Sequence, residues 1–89
     1  MARRKKRETP GQQLRALRER LGFSLRDVRV ASRRIAREMG RDVFIIPHSQ
    51  LHQIEVKNAV PNIFRLYTLS RVYGRSLGEF LRRYGVPRG

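Results

Sequence analysis

The stretch 46-IPHSQLHQIEVKNAVPNIFRLYTLSRVYGRSLGEFL-81 decides the fold. It reads as a short helix, a turn, a capped helix, a second turn and another capped helix. The short helix is Pro47–Val56, with Leu51 and Ile54 as its inward pair. Its opposite face carries Ser49, His52, Gln53 and Val56. That face is polar but uncharged, in a chain with 21 Lys+Arg. A generic solvated face would carry charge. Small hydroxyls and amides suit base edges, where Gln can form paired hydrogen bonds to adenine.

Working outward, Asn62 is the expected N-cap of a helix whose inward residues are Ile63, Leu66, Leu69, Ser70 and Tyr73, closed by Gly74. Ser76 and Glu79 form a capping-box pattern ahead of Leu77, Phe80 and Leu81, with Tyr84 below them. On the N-terminal side, Thr9, Pro10 and Gln12 predict a well-capped first helix. Its apolar stripe is Leu14, Leu17 and Leu21, and Gly22 ends it. A second helix starts at Ser24 and stops at Gly40. Val28, Ala31, Ser32, Ile35 and Met39 line its inner face, with Arg26, Arg29, Arg33 and Arg37 nearly opposite. The segment 40–47 has an apolar centre, Val43-Phe44-Ile45-Ile46, and is expected to lie extended over the core. The fold class is therefore all-α. It is a five-helix domain over 9–85, with a disordered basic arm at 1–8 and a tail at 86–89.

Charge bounds the partners. The formal net charge is +14 in 89 residues. Arg3, Arg4, Lys5, Lys6 and Arg7 supply five of the positive charges. From Gly11 onward the chain still holds 16 basic and 6 acidic residues. A folded part this basic attracts polyanions. The absence of Cys excludes disulfides and thiolate metal sites. His48 and His52 are four apart, a spacing that suits two imidazoles on one metal, but no third ligand stands near in sequence. No metal or other cofactor and no small-molecule ligand is expected. No nucleophile–base set or phosphate loop emerges, so the sequence predicts no enzyme. No apolar run approaches the ~20 residues of a membrane helix. The basic N-terminus is followed by no apolar segment, so a cytoplasmic, nucleoid-associated protein is expected.

Three ordered blocks carry a family resemblance. They are Leu14-Arg15-Ala16-Leu17-Arg18 through Gly22-Phe23-Ser24-Leu25, then Leu51-His52-Gln53-Ile54-Glu55, then Pro61-Asn62 with Leu66, Leu69, Ser70, Gly74, Ser76 and Leu77. Together they resemble the Cro/cI-type, or XRE-like, helix-turn-helix family of phage repressors and bacterial regulators. The resemblance implies that the third helix is a recognition helix, with His48, Ser49, His52 and Gln53 facing bases. It places Lys57, Asn58 and Asn62 toward phosphates, and Arg18 and Glu55 in an ion pair that orients the recognition helix. Beyond the resemblance, Arg26 and Arg29 of the second-helix stripe are read either as a solvated outer face or as an auxiliary phosphate-binding edge, and Arg65 is a further expected phosphate contact. Four departures stand out. The second helix is longer and an insert within 33–46 precedes the third. Arg29 stands where the family has a small residue. Leu25 replaces a polar phosphate contact. Lys57 replaces a glycine, which leaves the left-handed position to Asn58.

The function this implies is sequence-specific binding of double-stranded DNA in transcription regulation, with a homodimer as a further candidate state. Two alternatives stay open. One is a non-specific nucleic-acid binder of nucleoid DNA or RNA. The other is a protein-interaction module such as an antitoxin component.

Overall fold

The structure, a computed structural model, describes residues 8–87. Among these, five α-helices and one short 3-10 turn account for all regular structure. The helices are α1 (Pro10–Arg20), α2 (Leu25–Met39), α3 (His48–Val56), α4 (Ile63–Tyr73) and α5 (Leu77–Arg83), with the 3-10 turn at Asp42–Phe44 between α2 and α3. The arm residues Arg3, Arg4, Lys5, Lys6 and Arg7 lie outside the described residues. None of the described helices is long and apolar enough to cross a membrane.

Local chemistry sets the helix starts. The Thr9 hydroxyl accepts the Gln12 N–H at 3.1 Å, and the Gln12 side chain accepts the Thr9 N–H at 2.9 Å. Ser24 and Asp27 make the same reciprocal pair at α2. The Ser24 N–H and then its hydroxyl hold the Asp27 carboxyl below the usual range. That cap is intact at neutral pH and is lost as pH falls through the lowered value. The box expected at α5 is only half made. The Glu79 N–H donates to the Ser76 hydroxyl, but the Glu79 carboxylate pairs with Arg83 at 3.0 Å instead of returning to Ser76.

The main core joins all five helices to the end of the insert. Leu14 and Leu17 of α1, Val28 of α2, Ile46, and Leu51 and Ile54 of α3 meet Leu66, Leu69 and Tyr73 of α4. Phe80 of α5 is fully buried beneath them. A second, smaller core forms where α2 outruns the first. There Ile35 and Ala36 pack on Phe44, whose ring meets Phe64 and Tyr67 edge-on at 5.5 and 5.7 Å.

The segment 40–47 therefore differs from the extended strap expected. It winds through a 3-10 turn that drives Phe44 inward, and only then extends to Pro47. Its backbone is held by side chains. The Thr68 hydroxyl donates to the Phe44 carbonyl at 2.8 Å, and Arg65 Nε to the Ile45 carbonyl at 3.0 Å. The Ser32 hydroxyl accepts the Ile46 N–H at 3.0 Å while donating to the Arg29 carbonyl. Three residues assigned inward instead stand out in solvent: Leu21 (42% exposed), Met39 (44%) and Ile63 (49%). Each sits at a helix end, where the apolar stripe has run past the faces that pack.

Gly11, in the first turn of α1, lies directly against the backbone of α3. A Cβ there would overlap the Ile54 carbonyl oxygen and stand 2.8 Å from that of Glu55. Gly78 in α5 is the contrast, since its Cβ would meet only an Arg82 guanidinium nitrogen at 3.7 Å. Gly11→Ala should therefore lower the unfolding free energy by about 1–3 kcal/mol, the cost of forcing an extra carbon into a packed contact. Gly78→Ala should raise it by roughly 0.5–1 kcal/mol through helix propensity. Urea denaturation of the two variants checks both signs.

Candidate nucleic-acid interface

α3 is positioned from below by an ion pair that its own sequence half supplies. Arg18 of α1 donates through Nε to one Glu55 carboxylate oxygen at 2.7 Å and through Nη2 to the other at 3.0 Å. Its remaining nitrogen, Nη1, donates to the Phe23 carbonyl at 2.8 Å. Arg18 is 8% exposed and Glu55 4%. The planar fork thus ties three segments together: α1, the α1–α2 turn and α3. The hydrogen bonds to Glu55 raise the Arg18 pKa against the opposing effect of burial. Beside the pair, burial raises the Tyr73 hydroxyl pKa, and the Glu55 carboxylate adds to the rise.

The C-terminal end of α3 is fixed as firmly. Asn58 takes a left-handed backbone (φ 56), as the sequence suggested. Its side-chain oxygen accepts the Gly11 N–H at 3.0 Å. The turn lets the Gln53 carbonyl accept N–H groups from both Lys57 and Ala59, at 3.1 and 3.0 Å. The N-terminus of α1 therefore meets the carbonyl end of α3, an arrangement helix dipoles favour.

With Leu51, Ile54 and Glu55 buried, the outer face of α3 presents His48, Ser49, Gln50, His52, Gln53 and Val56, all exposed. At about 100° per residue, Ser49, Gln53 and Val56 lie at its centre and His52 beside them. His48 and Gln50 flank the face on opposite sides. No side chain caps α3, whose N-cap is Pro47, so its first-turn N–H groups have no side-chain acceptor. Gln50, which the sequence pattern does not single out, is exposed with the other outward residues of α3. Its exposure follows from the helix starting at His48, which turns it to the open flank.

The residues assigned to phosphates are less uniform. Arg26 and Lys57 are exposed. Arg29 is half-buried, and its Nε is enclosed without a hydrogen-bond partner. Arg65 is half-buried, with Nε committed to the Ile45 carbonyl. The Asn62 side-chain oxygen caps α4 by accepting the Arg65 N–H at 2.8 Å. The Asn58 side-chain oxygen is likewise turned inward to Gly11. Four glutamates are held in ion pairs: Glu19 with Arg15, Glu38 with Arg71, Glu55 with Arg18 and Glu79 with Arg83.

No protein-family model, curated protein or solved structure matches this chain.

The buried pair makes a direct test of how α3 is held. Arg18→Met strands a buried carboxylate, and Glu55→Met strands a buried guanidinium. Each should cost about 3–5 kcal/mol of stability. The double variant Arg18→Met/Glu55→Met should recover most of that loss, because no charge is left unpaired. Additive losses in a urea-denaturation cycle would show that the two side chains are not coupled.

Proposed function

We propose that this chain is a sequence-specific double-stranded DNA-binding protein of helix-turn-helix type, acting as a transcriptional regulator in the nucleoid. α3 lies in the major groove, which is about 12 Å wide and admits one helix. The observation that carries this reading is the outer face of α3. In a chain of net charge +14, that face carries neither Lys, Arg, Asp nor Glu, in contrast to the exposed faces of the other described helices. Charge recruits a duplex without regard to sequence. An uncharged face of amides, hydroxyls and imidazoles is what distinguishes one base pair from another.

Gln53 and Ser49, central on that face, read base edges, with His48 and His52 beside them. Arg26, Arg29, Lys57 and Arg65 supply positive charge around the helix. The uncapped N–H groups of α3 add a neutral donor set of the kind that binds phosphate. The remaining amide groups of Asn58 and Asn62 border the same turn. The arm residues Arg3 to Arg7 add charge of the type that tracks a neighbouring groove.

Two substitutions separate reading from holding. With a duplex enriched by selection from random sequence, Gln53→Ala should lose about 1–3 kcal/mol of discrimination at one or two base positions. Its affinity for unrelated duplex should stay near wild type. Lys57→Ala should weaken selected and unrelated duplexes alike and make the log–log salt slope shallower by about one. Fluorescence anisotropy with competitor duplexes checks both. If Gln53→Ala keeps the wild-type preference at every position, α3 is not the reading element. If wild type shows no preference at all, the charge alone binds, as a non-specific nucleoid or RNA binder would.

A further inference from the structure

α2 carries a second stripe that neither the core nor the nucleic-acid reading uses. Asp27, Val30, Ala31 and Arg34 recur at i, i+3, i+4 and i+7, which places them on one side of the helix. Ser32, which holds the Ile46 N–H at the approach to α3, lies nearly on the other side. The stripe borders a concavity of about 270 Å³ with an apolar floor of Phe23, Ala31, Ile35 and Val72. A shallower hollow adjoins it and reaches Val30, with Arg26 at its outer edge. Val30 is 49% exposed.

The charges lining the deeper concavity balance one another. The deeper concavity is lined by two acids and two bases, in a chain of +14. Glu38 and Arg71 already pair with each other at 3.1 Å. That leaves Asp27 and Arg34. They are seven residues apart, too far along the helix to meet, at about 1.5 Å of rise per residue. Neither has an ion-pair partner among the described residues.

We infer that this face is the contact between two copies of the chain. If two α2 helices cross antiparallel about a two-fold axis between Val30 and Ala31, each Asp27 comes opposite the Arg34 of the other copy. The arrangement is self-complementary, as an isologous contact requires. Val30 and Ala31 meet their own equivalents at the axis, and the small Ala31 lets the helices approach. Over most other surfaces, two copies of so basic a chain repel. Here the charges pair, and the exposed valine is withdrawn from water. The contact leaves the outer face of α3 open, because that helix lies toward the Ser32 side of α2. The pairing does not depend on any nucleic acid, so its test is run without one.

Sedimentation velocity of the full chain, up to millimolar concentration, should show a monomer–dimer equilibrium. Arg34→Asp makes the stripe all acid and Asp27→Arg makes it all base. Each alone should self-associate about tenfold or more weakly, through like-charge repulsion. Mixed in equal amounts, the two should recover dimer mass, since every Asp then faces an Arg. Val30→Lys, at an exposed site outside the core, should be monomeric with an unchanged melting curve. It decides the matter if Asp27→Arg loses its helix cap and unfolds. A wild type that stays monomeric throughout overturns the inference. So does a dimer that persists in Val30→Lys, or a mixture of two folded charge variants that fails to associate.

Discussion

The contact between α1 and α3 is what the remaining structure depends on, and the Arg18–Glu55 pair is its centre. α3 is only nine residues long and has just Leu51 and Ile54 to bury as apolar side chains. A helix that short does not hold its shape or its direction alone. The bidentate pair fixes its rotation about its own axis, because Glu55 must point at the Arg18 fork. Gly11 and Asn58 then fix its C-terminal end against α1. Burial of both charges opposes their attraction, so the pair need not add much net stability. What it does supply is a defined orientation for the outer face of α3, with His48, Ser49, His52 and Gln53 on it.

α2 shows how a single helix is divided among tasks. Val28, Ser32, Ile35 and Ala36 face inward. Arg26, Arg33 and Arg37 form an outer basic stripe, with Arg29 tucked toward the protein beside it. Asp27, Val30, Ala31 and Arg34 form a third side. The extra length of the helix would leave Ile35 and Ala36 uncovered without the segment that follows. Phe44 covers them, and the Phe64 and Tyr67 rings close around it. The insert is thus a lid on the extended part of α2, and the Ser32, Arg65 and Thr68 side chains pin its backbone to α2 and α4.

Much of this was legible in the sequence, for local reasons. The starts of α1, α2, α4 and α5 are written in Thr9, Ser24, Asn62 and Ser76, because caps act within one turn. The stripes Leu14/Leu17, Leu51/Ile54 and Leu66/Leu69 follow from period alone. The left-handed turn at Asn58 could be assigned because few side chains tolerate it. What could not be read depends on distant segments meeting. Gly11 looks like an ordinary residue of a helix start until the α3 carbonyls arrive beside it. The roles of Ser32 and Thr68 as anchors for the insert need the 3-10 turn in place. Leu21, Met39 and Ile63 fit their stripes but lie beyond the packed faces, which periodicity does not register. On α3, exposure of the outer face was foreseeable. The inward commitment of the Asn58, Asn62 and Arg65 side chains was not.

Contact between the uncharged face of α3 and DNA, as proposed above, can be observed residue by residue. The most direct test is an amide chemical-shift titration of the isotope-labelled chain with a duplex enriched by selection. The largest shifts are expected at His48, Ser49, His52, Gln53 and the following turn at Lys57, with small ones around Val30 and Arg34. Shifts confined to the arginines of α2 and α5, with α3 unmoved, would contradict it.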